Sequence, residues 1–149
     1  MNTVTLEIVA YSEAMIAIQT IRHTVFQVEQ CVDPDIDFDG QDDEATHLLA
    51  YADDKPIGTA RIRYLSDSLA KIERVAVIPA YRGRGIGKQI MDCAIAFLNH
   101  QKIPEIKINA QVHAKTFYEK LGFQQYGEEF DEAGIPHIEM RIKNPVPFH

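Results

Sequence analysis

The chain has 149 residues, of which 46% are hydrophobic and 25% charged, and these values are typical of one soluble globular domain spanning residues 1–149. No stretch approaches the ~18 apolar residues of a membrane span, and the first residues lack the basic and apolar parts of a signal peptide, so we expect a cytoplasmic protein without membrane contact. The net charge of −7 argues against nonspecific nucleic-acid binding, which depends on neutralising phosphates.

Hydrophobic periodicity predicts a single mixed α/β domain. A strand over residues 3–9 precedes a helix that is capped by Ser12 and runs to about Val28. The next predicted elements are strands at 48–51, 57–64 and 71–77, a helix over 85–100, a parallel crossover to a strand at 105–110, a short helix at 113–121, a core strand from Phe123, a last strand at 137–142 and an extended tail at 144–149. The stripe of the first helix is Ala14, Ala17, Ile18, Ile21, Val25 and Val28. The two cysteines are too few for a disulfide framework, and Cys93 is expected to pack in the core.

The most informative segment runs from Ile72 to Gly87. A β-branched stretch stops at Pro79, passes through a glycine-rich loop and opens into a helix. Glycines let the backbone approach a ligand closely, and the N–H groups at a helix start point at negative oxygens. The segment therefore predicts a phosphate-binding turn, with a glycine-rich turn that holds no ligand as the alternative.

Spacing separates the known phosphate-binding motifs. A P-loop needs Gly-x-x-x-x-Gly-Lys-Ser/Thr, but Gly83 and Gly87 are one residue too close, and Gln89 replaces the hydroxyl residue. A dinucleotide fingerprint needs Gly-x-Gly-x-x-Gly and an acidic residue about 20 positions on. Here the loop is Gly-x-Gly-x-Gly, and the predicted strand over residues 106–109 contains no carboxylate.

The pattern Arg/Gln-x-x-Gly-x-Gly/Ala after Val-x-Pro fits at Arg82, Gly85 and Gly87, and here the chain resembles the GNAT superfamily of acetyl-CoA-dependent N-acetyltransferases. The resemblance implies a GNAT fold, in which helices flank a central, mostly antiparallel sheet that splays beyond the strand at 71–77. It implies acetyl-CoA as co-substrate, no metal, and pantetheine lying in the gap of the sheet. The cofactor contacts implied are Val75, Ala76, Val77, Arg82, Gly83, Arg84, Gly85, Ile86, Gly87, Lys88, Gln111 and Phe117.

A second block, residues 111–123, resembles the C-terminal GNAT signature Asn-x-x-Ala-x-x-Phe-Tyr-x-x-x-Gly-Phe. Gln111 departs from the family's asparagine but keeps an amide, and Gly122 suits a helix C-cap. The resemblance implies that Tyr118 protonates the departing thiolate. A phenol with an ordinary pKa of ~10 matches an alkyl thiol in acidity. The structural alternative is that Tyr118 only packs in the core.

Residues 22–30, 37–42 and 134–140 resemble the ElaA-type branch of the superfamily. In related glyphosate-type acetyltransferases, a histidine in a similar Pro-His-Ile context is the general base, so the resemblance implies that role for His137. Histidine has a suitable unperturbed pKa of ~6.5. Glu73 is the rival base, acting directly or through water, provided that burial raises its pKa. Strand alternation predicts that Lys71, Glu73, Val75 and Val77 share one face.

Three residues are candidates for binding the acceptor. Arg22, beside Glu29 and Gln30, is expected to clamp a carboxylate or phosphonate on a small amine, and Arg74 is expected to join it. Ordinary ion pairs are the alternative for both arginines.

The acidic segment at residues 33–44 contains a partial calcium-loop pattern. Asp35, Asp37, Asp39 and Gly40 match positions 1, 3, 5 and 6 of an EF-hand, but Thr46 stands where a bidentate glutamate is required. A solvated loop that borders the acceptor site is the preferred interpretation.

These observations predict an enzyme that transfers an acetyl group from acetyl-CoA to a primary amine by direct attack in a ternary complex. Small-molecule amines and protein lysines are both possible acceptors, and homodimers are common in the family. Two other function classes stay open at this point: a non-catalytic acyl-CoA sensor, and a calcium-responsive interaction protein.

Overall fold

The computed structural model describes residues 3–143, so the predicted extended tail at 144–149 lies outside the described residues. The strands are β1 Val4–Ala10, β2 Thr46–Ala52, β3 Lys55–Tyr64, β4 Leu69–Val77, β5 Glu105–Gln111, β6 Gln124–Glu132 and β7 Ile135–Lys143. The helices are α1 Tyr11–Arg22, α2 Pro34–Asp37, α3 Ile86–His100 and α4 Lys115–Lys120, with a π-helical segment at His23–Glu29 and 3₁₀ turns at Pro79–Tyr81 and Val112–Ala114. None of the helices in this part of the chain is long and apolar enough to cross a membrane.

One mixed sheet organises the domain, with the strand order β1-β2-β3-β4-β5-β7-β6. Every neighbouring pair is antiparallel except β4 and β5, which run parallel. That parallel pairing covers only Leu69–Lys71 against Glu105–Lys107. Beyond Lys71 the two strands separate, so the expected α/β fold with a mostly antiparallel, splayed sheet is confirmed.

Helices bury both faces of the sheet. The α3 stripe of Ile86, Ile90, Met91, Ala94 and Leu98 packs in the larger core, against which Cys93 is partly buried as predicted. On the opposite face, Ile18 and Ile21 of α1 and the following Val25 pack against Leu49 and Ala76. Phe123 is buried in the larger core, but the strand after it lies at the sheet edge and is exposed almost throughout, so the predicted core strand is wrong.

The first helix differs from its prediction at both ends. Ser12 is not the cap, because the helix begins at Tyr11 with Ala10 as its N-cap, two residues earlier than predicted, and Glu13 Oε1 accepts the Ala10 N–H at 3.0 Å. Beyond Arg22 the winding becomes π-helical, which adds residues to each turn and rotates later side chains away from the α-helical stripe. Val28 is consequently 64% exposed, although the stripe placed it in the core.

A β-bulge interrupts β4. Arg61 of β3 pairs with Glu73, but Thr59 pairs with Ala76, so β4 carries an extra residue and Arg74 adopts a φ of +53°. Ala70 and Ile72 face the α3 core before the bulge, whereas Val75 and Val77 face it afterwards. The predicted common face of Lys71, Glu73, Val75 and Val77 is therefore wrong, because simple alternation does not survive the inserted residue.

Most of the acidic segment is exposed, as predicted for a solvated loop, but two of its carboxylates are not. Asp37 and Asp42 are buried, and their carboxylates bind Arg22, at 3.0 and 2.5 Å respectively. Asp42 also binds Arg61 at 3.0 Å. Among residues 3–143, no group of three or more acidic, histidine or cysteine side chains is arranged to hold a metal ion. Instead, ion pairs join the segment to Arg22 of α1, Arg61 of β3 and Arg74 of β4.

Candidate active site

A cleft of about 840 Å³ opens where β4 and β5 separate, which is within the usual size range of small-molecule sites. It is lined by the bulged part of β4, the loop before α3, the end of β5, and parts of α4 and β7. The strand edge of β4 beyond Lys71 has no β5 partner, so its backbone polar groups border the cleft.

The start of α3 forms one end of the cleft. Gly83 and Gly85 both adopt a φ of +77°, a conformation that other residues reach only with strain. No side chain caps α3, and within residues 3–143 the backbone N–H groups of residues 83–88 donate to no acceptor. A set of free donors at the positive end of a 15-residue helix is a site for an anion.

The predicted cofactor residues surround this end. Arg84 stacks on Tyr81, with its Cζ 5.1 Å from the ring centroid, and does not line the cleft. Gly87 lies against the Phe117 ring, since a Cβ at this position would stand 3.5 Å from it. The predicted residues that line the cleft are Val75, Ala76, Val77, Arg82, Gly83, Gly85, Ile86, Gly87, Lys88, Gln111 and Phe117.

Arg82 is held by two partners. Its Nε donates to the Val77 carbonyl at 2.9 Å, and its two terminal nitrogens bind Glu29 at 2.5 and 2.6 Å. The hydrogen bonds from Arg82 lower the pKa of Glu29. Glu29 does not line the cleft and supports the loop before α3 through Arg82, so it does not fit the expected acceptor contact.

Gln111 pairs with a residue that the sequence did not single out. Its amide nitrogen donates to Gln30 Oε1 at 3.0 Å, and the Gln30 amide nitrogen lies 3.4 Å from Gln111 Oε1. The pair links the π-helical segment to the end of β5 across the cleft. Only the sequence position of Gln30, next to Glu29, gave a signal for this contact.

Tyr118 lies in the cleft, on α4. Its ring packs edge-on against Phe117 and Phe123, and burial raises the pKa of Tyr118 to about 12. Its hydroxyl makes no hydrogen bond within residues 3–143. The side chain is therefore a fully protonated phenol whose donor is free for a ligand.

His137 is buried, at 6% exposure, where β7 borders the cleft. Its Nδ1 lies 2.7 Å from the Ile135 carbonyl, which can only accept, so the proton of the neutral ring belongs on Nδ1. The Nε2 lone pair is then free, and it faces Glu132 Oε2 at 3.5 Å. The ring also stacks on Phe130. This arrangement leaves Nε2 able to accept a proton from a ligand in the cleft.

Glu132 and Asn109 complete this end of the cleft, and the sequence analysis missed both. Asn109 Nδ2 donates to Glu132 Oε1 at 3.2 Å, whereas its buried Oδ1 has no partner within residues 3–143. The Ala133-Gly134 turn between β6 and β7 places Glu132 opposite Ile135. That two-residue turn was a readable signal for Glu132, because it fixes the register of the hairpin.

Glu73 does not fit the expected role of general base. Burial alone would raise its pKa, but the charge and hydrogen bonds of Arg61, aided by Lys71 and Arg63, outweigh burial and lower the pKa. The carboxylate contacts Arg61 directly and lies 3.0 Å from Arg63 and 3.3 Å from Lys71. A carboxylate that binds several cations is a poor proton acceptor.

The two arginines expected to clamp the acceptor are already bonded within the chain. Arg22 is 1% exposed, does not line the cleft, and binds Asp37 and Asp42. Arg74 lines the cleft, but its guanidinium donates to the Ile36 carbonyl at 3.0 Å and binds Asp39 at 3.2 Å. Both arginines form ion pairs within the chain, which was the alternative interpretation of these residues.

Comparison with known proteins agrees with this geometry. Residues 10–144 match the family model described as an acetyltransferase (GNAT) domain. The chain belongs to the GNAT family. It is 36% identical over 128 residues to the protein ElaA of Escherichia coli, an alignment that covers 83% of this chain and 84% of ElaA.

Solved GNAT structures share the fold over nearly the whole chain. The crystal structure of E. coli ElaA superimposes with a TM-score of 0.83 at 31% identity, covering 93% of this chain and 99% of ElaA, so the ElaA-type assignment is confirmed. An acyl-CoA N-acyltransferase from Pseudomonas aeruginosa gives a TM-score of 0.83 at 28% identity, with coverage of 93% and 99%. The PaiA N-acetyltransferase from Thermoplasma acidophilum, solved in complex with coenzyme A, shares the fold at a TM-score of 0.69 and 17% identity, with coverage of 95% and 99%.

Proposed function

We propose that this GNAT protein transfers the acetyl group of acetyl-CoA to a primary amine, by direct attack of the amine in a ternary complex. The observation that carries the proposal is the row of free N–H groups at residues 83–88, which borders the cleft where β4 and β5 separate. Acyl transfer is the activity of the family, and we propose acetyl-CoA as the co-substrate and a primary amine as the acceptor.

The cofactor end of the cleft fits coenzyme A. Its diphosphate needs several donors that do not already have acceptors, which is what the start of α3 offers. The gap beside β4 has room for an extended chain next to unpaired backbone groups. Coenzyme A is present in the solved PaiA complex, which has the same fold. Val77 also lines the cleft, and its carbonyl, which accepts one hydrogen bond from Arg82, keeps a second lone pair for pantetheine.

His137 is proposed to remove a proton from the acceptor ammonium. Its Nε2 accepts the proton, and Glu132 at 3.5 Å stabilises the imidazolium that forms. Acetyl-CoA supplies an acetyl group on a thioester with a good leaving group. A C–N bond forms at the carbonyl carbon and the C–S bond breaks. An ammonium loses two protons on becoming an amide. His137 takes the first and later releases it to solvent, and the second replaces the proton that Tyr118 gives to the thiolate.

Two groups are proposed to act on the thioester. A backbone N–H near Val75, at the unpaired edge of β4, stabilises the negative charge that develops on the carbonyl oxygen. Tyr118 gives its proton to the leaving sulfur. With a pKa raised to about 12, the phenol is protonated at every working pH, although it is a weaker acid than an ordinary tyrosine.

Replacing Tyr118 with phenylalanine tests the acid. We expect kcat to fall about 10²-fold, the low end for a general acid, because a phenol of high pKa gives up its proton reluctantly. The Kd of acetyl-CoA should change little, since the ring contacts with Phe117 and Phe123 remain. The matched control is Tyr126→Phe at an exposed position on β6. An unchanged kcat in Tyr118→Phe would remove the acid role.

The transfer itself is tested by thiol release from acetyl-CoA across a panel of amines that includes a lysine-containing peptide. We expect release that depends on an amine and yields one acetylated product per thiol. If acetyl-CoA raises the melting temperature but no amine releases thiol, the chain is the acyl-CoA sensor that the sequence left open as the alternative.

A further inference from the structure

A row of cations crosses the sheet at the base of the cleft. Arg63 of β3 pairs in register with Lys71 of β4, Lys71 with Lys107 of β5, and Lys107 with Arg141 of β7. All four lie on the face opposite the α3 core, since their strand neighbours occupy that core. Like charges directly opposite one another destabilise a sheet unless anions lie between them.

The anions are unevenly distributed along this cation row. Lys107 and Arg141 share Glu139, and Arg141 also binds Glu105. At the cleft end, Arg63 and Lys71 share one oxygen of Glu73, and the other oxygen binds Arg61. Among residues 3–143, the connected network there has one more cation than carboxylate: Arg22, Arg61, Arg63, Lys71 and Arg74 against Asp37, Asp39, Asp42 and Glu73. Arg63 and Lys71 are its members that border the cleft without a second carboxylate.

Near His137, the groups that need partners are hydrogen-bond acceptors, and they need donors and positive charge. The unpartnered Oδ1 of Asn109, the Glu132 carboxylate and the free Nε2 of His137 are all acceptors. The amide orientation of Asn109 is fixed, because a flip would place its oxygen against Glu132. Three acceptors with one donor among them need a ligand that brings N–H groups and positive charge, as an ammonium does.

The two groups of residues are a small molecule's length apart. Asn109 follows Lys107 by two residues on the same face of β5, a step of roughly 7 Å, and Lys107 is in register with Lys71. Lys71 and Asn109 both line the cleft. A ligand that satisfies both ends carries its ammonium and its anionic group a few bonds apart.

We propose that the acceptor is a small amine bearing a carboxylate or similar anionic group, whose ammonium binds Asn109, Glu132 and His137 while the anion binds Lys71 and Arg63. This inference rests on the proposed acetyl transfer and specifies its substrate class. Lys71 and Arg63 take the anion-binding role that the sequence assigned to Arg22 and Arg74, because the acidic segment already pairs with Arg22 and Arg74. Protein lysines and polyamines lack the anion that this end of the cleft would bind.

The test compares matched acceptors. Thiol release is measured with 3-aminopropanoate, 4-aminobutanoate and 5-aminopentanoate, each against its carboxamide, and with spermidine and a lysine peptide. We expect kcat/KM for at least one acid to exceed that of its amide by about 10- to 100-fold, the usual effect of losing a hydrogen bond between charged groups. Lys71→Gln should remove that preference by raising KM for the acid, and the Kd of acetyl-CoA should change little.

Lys107→Gln is the matched control, because Lys107 belongs to the cation row but does not line the cleft. It should keep the preference for acids. If amides, spermidine or the lysine peptide are turned over as well as the acids, the acceptor class is wrong and the acetyl transfer stands. A preference for acids that survives in Lys71→Gln also overturns the assignment. Absence of turnover with every amine overturns the proposed transfer, and this acceptor with it.

Discussion

Replacing His137 with alanine is expected to lower kcat by about 10²- to 10⁴-fold, the range for loss of a general base. The side chain is buried and oriented by the Ile135 carbonyl, and its Nε2 faces Glu132 at 3.5 Å. The Kd of acetyl-CoA should change little, because His137 lies apart from the amides at the start of α3. The measurement is steady-state kinetics from pH 5 to 9.

The control is His100→Ala, an exposed histidine at the end of α3, far along the helix from the cofactor loop. It should retain full activity. If His137→Ala keeps kcat within a few-fold, the proton goes to water or to Glu73. Glu73 would then have to act in spite of the cations that lower its pKa.

Replacing Arg22 with methionine is expected to destabilise the fold by about 3–5 kcal/mol, a large share of the ~5–15 kcal/mol that holds a typical domain together. Methionine fills similar space but leaves the buried carboxylates of Asp37 and Asp42 without this cation. The measurement is the free energy of unfolding from urea denaturation.

Two further variants distinguish charge burial from loss of packing. Arg141→Met removes an arginine whose ion pairs lie near the surface, and it should cost about 1 kcal/mol or less. Combining Arg22→Met with Asp37→Asn and Asp42→Asn should recover part of the loss, because neutral amides are cheaper to bury than unpaired charges. Equal losses in the single and triple variants would assign the effect of Arg22 to packing.

Local sequence patterns predicted the parallel crossover to β5 and the start of α3 well. Pro79, the glycines at 83, 85 and 87, and the apolar stripe of α3 act over a few residues, so the strand-loop-helix turn could be located from them. The C-terminal signature likewise located Tyr118, which borders the cleft.

The sequence misplaced several side chains, because hydrophobic periodicity does not reveal bulges, π-helical turns or distant ion-pair partners. The bulge at Arg74 shifts the face of Val75 and Val77, and the π-helical winding exposes Val28. Arg22 was expected to bind acceptor because the sequence does not reveal that Asp37 and Asp42, 15 and 20 residues later, bury it. No signal in the sequence identified Asn109. Its Nδ2 donates to Glu132, which lies in a different strand, and this hydrogen bond directs the unpartnered Oδ1 away from Glu132.

The central claim is that the backbone amides at residues 83–88 bind the diphosphate of acetyl-CoA. The most direct measurement is the ¹H–¹⁵N NMR spectrum of the protein titrated with acetyl-CoA, with the melting temperature recorded on the same samples. We expect the amide signals of residues 83–88 to shift together and to saturate with the same Kd as the rise in melting temperature. These amide protons should also exchange more slowly with solvent. Unshifted amides and an unchanged melting temperature at saturating acetyl-CoA would contradict the central claim.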